Sequence, residues 1–231
     1  KPLPINTLQG IRNAWLEHHV LAFPDQQLDD EDLVRVTQAL GGVGDDPFFV
    51  PINKKTPVVA LTRSADEEAP VFAENWHTDW SFQENPPAGT CLFGIIIPSE
   101  GGDTLFANQH MALDMMPSEL RNKLEGKKGI HSAMIPYSPS GGYGQKDKEM
   151  GRSMDIRFSD EALAKQTHPI IREHPETGRK GIFGTFGYTI GIEDMEDQDA
   201  MQLLIELSNW QSQEQFQYRH KWKKNMLVMW D

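Results

Sequence analysis

The residues best suited to chemistry lie in Asn75-Trp76-His77-Thr78-Asp79-Trp80. Side chains two positions apart on an extended strand project from the same face, so His77 and Asp79 are expected to share one ion. An imidazole, a carboxylate and a second imidazole on one face of an octahedron leave three positions open, the arrangement used by non-haem Fe(II) oxygenases. The spacing alone is a weak signal. With 8 histidines and 34 acidic residues in 231, roughly one His-x-acid triplet is expected by chance. The chain holds two, and the other, His174-Pro175-Glu176, reads as a turn whose proline prevents strand alternation.

The elements that must position this pair can be read along the chain. Leu8, Ile11 and Trp15 form one helical stripe, and Val20 to Phe23 reads as a short strand ended by Pro24. A second helix is capped by Asp29 or Asp30, buries Leu33, Val36 and Leu40, and closes at Gly41-Gly42. Val58 to Leu61, Cys91 to Ile97 and Thr104 to Phe106 have strand texture. A helix pair follows, its second member starting near Pro117, with Leu120 and Leu124 one turn apart and Gly126 as its stop. Residues 138 to 153, with four glycines and little to bury, read as a mobile loop, either a surface excursion or a lid. Ile170-Ile171 and Gly181 to Phe183 form a hairpin through His174 to Gly178; Met201, Leu204 and Ile205 mark a last helix; Met226 to Trp230 make a terminal strand.

Composition bounds the partners. A formal charge of −12 opposes broad binding to nucleic acid or anionic membranes. Cys91 is the only cysteine, so no intrachain disulfide and no thiolate zinc cluster can form, and a reducing, cytoplasmic setting fits. The 38% hydrophobic content suits one globular domain over residues 1–231. No apolar run is long enough to cross a bilayer, and no basic-then-apolar leader opens the chain.

Several segments, in order, resemble the taurine dioxygenase and 2,4-dichlorophenoxyacetate dioxygenase family. They are Asn75 to Phe82 followed by Pro86-Pro87-Ala88-Gly89, Gly101 to Asn108, His168 to Arg172, His174 to Lys180, and Asn225 to Asp231. The resemblance implies a mainly β double-stranded β-helix, a cupin-like jelly roll with flanking helices. It also implies an oxidoreductase that uses Fe(II), 2-oxoglutarate and O2 to hydroxylate a small organic substrate, releasing succinate and CO2. His77 and Asp79 would be metal ligands, and the Thr104 hydroxyl would hydrogen-bond a carboxylate of 2-oxoglutarate.

In the family the Trp-Asp pair, here Trp230-Asp231, leads into the second histidine ligand and then a cosubstrate-binding arginine, so both are expected beyond Asp231. Opening at Lys1-Pro2 without an initiator methionine and closing inside an apolar strand, the chain reads as cut at both ends. Asp46, Phe49, Ala73, Asn75, Trp80 and Tyr188 fall where the family lines its substrate pocket. Taurine dioxygenases carry His, Tyr and Asn where Asp46, Phe49 and Ala73 stand, so the sulfonate donors are missing and a less polar or partly cationic substrate is expected. The alternative is a catalytically silent relative that binds a small molecule or partner, and a homo-oligomer is left open. Tyr137 and Tyr143 either anchor the Gly-rich loop or close over substrate; His18-His19 reads as a helix end and Cys91 as a small core residue.

Overall fold

The structure is a computed structural model that describes residues 3–231. Lys1 and Pro2, on which the reading of a cut N-terminus rests, lie outside the described residues. In chain order the helices are α1 (Ile5–His18), α2 (Asp30–Leu40), α3 (Gln109–Asp114), α4 (Ser118–Leu124), α5 (Met134–Tyr137), α6 (Gln145–Glu149) and α7 (Asp197–Gln211). The strands are β1 (Val20–Phe23), β2 (Thr90–Gly94), β3 (Thr104–Ala107), β4 (Lys128–Ser132), β5 (Lys165–Pro169), β6 (Ile171–Glu173), β7 (Lys180–Ile182), β8 (Thr189–Ile192), β9 (Gln217–His220) and β10 (Met226–Trp230). Helical residues outnumber strand residues, which corrects the expectation of a mainly β chain. Val58 to Leu61, read as a strand, makes only an isolated bridge between Val59 and Pro51.

The described residues divide into two compact units, the first made of residues 3–60, Pro87–Phe106 and Arg219–Asp231. Its sheet has the order β1-β10-β2, both pairings antiparallel, with Val20 opposite Trp230 and Gly94 opposite Met226. Trp15, Leu40 and Met229 are buried together, with Leu8, Ile11, Val36 and Cys91 packed around them, so the apolar stripes of α1 and α2 cover this sheet as their spacing predicts. Asp29 opens α2 through a capping box with Asp32, and Gly42 rather than Gly41 takes the positive φ after it. Gly89 belongs to the Pro-Pro-Ala-Gly segment for a steric reason: a Cβ there would lie 2.2 Å from the Trp230 carbonyl oxygen and 2.3 Å from the Trp15 ring. Strand β2 stops at Gly94, and Ile95 and Ile96, expected to continue it, are exposed.

The second unit comprises Leu61–Pro86 and Ala107–Tyr218. It holds the antiparallel sheet β5-β4-β8 and the β6-β7 hairpin, whose turn uses the positive φ of Gly178. Leu113, Leu120, Leu124, Ile170, Ile192, Leu203, Leu204 and Leu207 form its buried core. In α7 the buried face runs through Ala200, Leu203, Leu204 and Leu207, and Met201 and Ile205, expected to be part of it, are half exposed. Leu203 and Leu207 were the better guide: with Ala200 and Leu204 they keep the spacing of a single helical face.

Residues 138–153 are anchored rather than free of burial. Within this segment Asp147 and Arg152 form an ion pair, and Arg152 also reaches Glu67 at 3.4 Å. These three side chains are at most 3% exposed. Glu67 accepts the Ser153 amide at 3.0 Å, and the Tyr143 hydroxyl accepts the Ala73 amide at 2.9 Å. Burial favours protonation of Glu67, yet the Ser153 donors and the two arginines Arg63 and Arg152 hold its carboxyl below the usual range.

The sheet of this unit buries two histidines, His131 on β4 and His168 on β5, with ring centroids 5.1 Å apart. Burial first, then the neighbouring His168 and Arg172, pushes His131 down to about 3; burial also lowers His168. A histidine that is neutral when folded but binds a proton near pH 6.5 when unfolded leaves stability intact above that pH and erodes it as pH falls toward 3, by up to about 1.4 kcal/mol per pH unit. Urea midpoints of the unmodified protein should therefore fall more between pH 7 and pH 5 than those of His131→Asn. Equal slopes would show that His131 is not held neutral.

Candidate metal centre

His77 and Asp79 do not lie on a strand. Residues 75–80 form irregular backbone that turns back on itself, with the Ser81 amide donating to Thr78 and the Gln83 amide donating to Trp80 at 2.9 Å. The pair converges through this turn and not through strand alternation, which corrects the expected strand. His77 Nε2 and Asp79 Oδ1 are 3.2 Å apart. Trp80 has a φ of 50°, a conformation that disfavours a bulky side chain, so the turn must be held from outside.

Four contacts within the second unit hold it. His131 Nδ1 shares a hydrogen bond of 3.0 Å with the fully buried Ser81 hydroxyl, and His168 Nε2 donates to the Gln83 carbonyl at 2.9 Å. Thr185 donates its hydroxyl proton to the Trp76 carbonyl at 3.1 Å. Gly187 packs so closely that a Cβ there would lie 2.7 Å from the Cβ of His77. Sequence reasoning missed all of these except for noting His168 within a matching segment. The signal that could have found Gly187 was its place directly before Tyr188, a residue already singled out.

The donor set fits a divalent transition metal. The Nδ1–H of His77 donates to the Asn75 carbonyl at 2.9 Å, which leaves Nε2 facing the Asp79 carboxylate, where a bound metal would replace the Nε2 proton. Burial works against a proton on His77, but the hydrogen bond and charge of Asp79 outweigh it and raise its pKa. The two side chains are 32% and 28% exposed, open enough for an ion and a further ligand to reach them. Among the described residues no third His, Cys, Asp or Glu completes a metal cluster with them.

Around His77 the unit builds an aromatic wall. Tyr188 meets the imidazole edge-on at 6.4 Å and packs on Phe82 at 4.9 Å; its hydroxyl lies 3.5 Å from that of Tyr137. Thus His77, Asp79, Asn75, Trp80 and Tyr188 share the second unit, and Asn75 serves through its backbone carbonyl. Asp46, Phe49 and Thr104 belong to the first unit. There Asp46 Oδ1 accepts the amides of Phe48 and Phe49 at 2.7 and 3.1 Å, shaping its own turn. Thr104 opens β3 and accepts a hydrogen bond from the Trp222 indole at 2.9 Å.

An imidazole with its Nδ1 proton held and a carboxylate beside it are two of the side-chain types that make up the 2-His-1-carboxylate set, the mark of mononuclear non-haem iron oxygenases. The sequence pattern described as "Taurine catabolism dioxygenase TauD, TfdA family" matches residues 2–231, and the chain belongs to this family. It is 28% identical over 97% of its length to an alpha-ketoglutarate-dependent 2,4-dichlorophenoxyacetate dioxygenase of Burkholderia sp., covering 77% of that protein. It is 30% identical over 99% of its length to an alkylsulfatase of Acinetobacter baylyi, covering 70% of it. A crystal structure from Burkholderia xenovorans, provisionally assigned as an alpha-ketoglutarate-dependent 2,4-D dioxygenase, superposes on the whole chain with a TM-score of 0.75 and 29% identity, covering 79% of that chain. The chain is accordingly an oxidoreductase that works with Fe(II), 2-oxoglutarate and O2, and the catalytic reading prevails over the silent one.

The close approach at Gly187 gives a direct test. Gly187→Ala must push His77 away from Asp79, and anaerobic titration with Fe(II) should show affinity reduced by about 10–100-fold, as for other changes that reorient a ligand. Unchanged iron affinity would mean that this contact does not position the imidazole.

Proposed function

We propose that the chain hydroxylates a C–H bond of a small organic substrate with an apolar or aromatic body, using His77 and Asp79 as two of the three protein ligands to Fe(II). The observation that carries this reading is that the Asn75 carbonyl holds the Nδ1 proton of His77, which directs Nε2 at the carboxylate oxygen 3.2 Å away. The third ligand, a histidine, and a cosubstrate-binding arginine are assigned outside residues 1–231. The fold is assigned as a double-stranded β-helix with helices on its outside, and the whole as a single dioxygenase domain.

The bound iron, 2-oxoglutarate and O2 together supply the oxidising power, ending in succinate, CO2 and a hydroxylated product. The chain's own residues do the positioning. Asp79 contributes negative charge that offsets the metal's. His77 binds only when Nε2 carries no proton, and its Asn75 partner keeps the remaining proton on Nδ1. Tyr188 and Phe82 exclude water from one side of the imidazole, and Thr104 takes a carboxylate of 2-oxoglutarate.

Substrate preference is assigned to Trp80, Tyr188, Phe49 and Asn75. Asp46 is assigned to its turn, since its Oδ1 already accepts two backbone amides. Ala73 and Phe49 lack the polar donors expected of a sulfonate site, which argues against taurine. Relatives named for 2,4-dichlorophenoxyacetate, phenoxypropionate and sulfate esters support an apolar body carrying an anionic group. The lone, half-buried Cys91, whose thiol burial pushes up to about 11, is consistent with a reducing cytoplasm.

Full-length protein given Fe(II), 2-oxoglutarate and O2 should release succinate faster with phenoxyalkanoates or alkyl sulfates than with taurine. His77→Ala and Asp79→Ala should each lower that rate at least about a hundredfold, more than typical losses from outer-shell changes. Near-normal turnover by either variant, or taurine as the best substrate, would refute the assignment.

A further inference from the structure

Thr104 is held by a partner whose hydrogen-bonding chemistry admits one direction only. The indole Nε1–H of Trp222 can donate but not accept, and it donates to Thr104 Oγ1 at 2.9 Å. A threonine hydroxyl has one proton and two lone pairs. With a lone pair engaged by the indole, the proton turns away from Trp222, and among the described residues no acceptor takes it. We infer that Trp222 is a positioning residue that orients the Thr104 hydroxyl as a hydrogen-bond donor toward an anionic ligand, the carboxylate of the cosubstrate. This rests on the assignment of Thr104 to 2-oxoglutarate made above.

The surroundings of Trp222 suit that task. It stands in the connection between β9 and β10, and Thr104, Gly94, His220 and Trp222 all belong to the first unit. The buried His220 ring meets the indole edge-on at 4.9 Å, and on another side the ring rests over Gly94, where a Cβ would lie 3.4 Å from Cε3. The connection is fixed at its far end, where the Asn225 amide donates to the Gly94 carbonyl at 2.7 Å. An indole fixed in this way presents its N–H without further loss of freedom when the ligand arrives. The hydroxyl of Thr104 is then pre-set as a donor instead of rotating between donor and acceptor roles.

The test titrates 2-oxoglutarate into anaerobic full-length protein loaded with Fe(II), following the visible charge-transfer band. Trp222→Phe keeps a ring but deletes the donor and should raise the dissociation constant about five- to tenfold, the usual worth of one neutral hydrogen bond. Fe(II) affinity, and the KM of the organic substrate, should not change. Thr104→Val should lose as much or more, and Thr104→Val with Trp222→Phe should lose no more than Thr104→Val alone. If Trp222→Phe fails to fold, Trp222→benzothienylalanine, which is isosteric but lacks the N–H, carries the same expectation. A dissociation constant unchanged in the donor-less variant, or additive losses in the pair, overturns the inference while leaving the dioxygenase assignment standing. Absence of the band in the unmodified protein sinks both.

Discussion

The structure depends on keeping an imidazole nitrogen and a carboxylate oxygen 3.2 Å apart on backbone that has no regular hydrogen-bond ladder of its own. A strand would have set such a geometry by its pleat. Here the geometry is imposed by neighbours: Gly187 pressed against the His77 backbone and Cβ, Thr185 on the Trp76 carbonyl, and two imidazoles from the β5-β4-β8 sheet on Ser81 and Gln83. The unusual φ of Trp80 persists because these contacts leave the turn no easier path. Preorganisation of this kind has a benefit for metal chemistry, since ligands already in place need not be gathered when the ion binds.

Much of this could be read from the residue types. Helical stripes at Leu8, Ile11 and Trp15, the Asp29 cap, the Pro117 start and Gly126 stop, the 174–178 turn and the last strand all express local rules, and local rules act within a few residues. The family resemblance directed attention to His77 and Asp79, which lie 3.2 Å apart. What stayed hidden is long-range. Nothing near Ser81 in the sequence announces a histidine fifty positions later, and nothing near Thr104 announces the indole at 222. The 138–153 segment misled for a related reason. Its glycines suggested freedom, whereas its charges are buried against Glu67, and the sequence of the loop alone cannot show that partner.

Burying charge in that segment is a constraint as well as an anchor. Arg152 has two carboxylates, Asp147 and Glu67, and loss of the guanidinium would strip the buried Asp147 of this ion pair and leave Glu67 to Arg63 alone. Tyr143 sits under the same guanidinium, which lies 5.0 Å from its ring centre, and receives the Ala73 amide just before the turn that carries His77 and Asp79. The segment is thereby coupled to the approach to the site through side chains rather than through the backbone. Large movements of residues 143–153 would have to break charge contacts, not merely rotate glycines.

The order of strands in the first unit also governs how the chain can come into being. Strand β10 lies between β1 and β2, with Val20 paired to Trp230 and Thr90 paired to the same residue from the other side. During synthesis β1 leaves the ribosome long before β10, its ladder partner among the described residues, and so does β2. Two short apolar strands must then wait with open edges, a state that invites wrong pairing. The stripes of α1 and α2 can shield β1 in that interval through Trp15 and Leu40, which makes the N-terminal helices caretakers of an unfinished sheet.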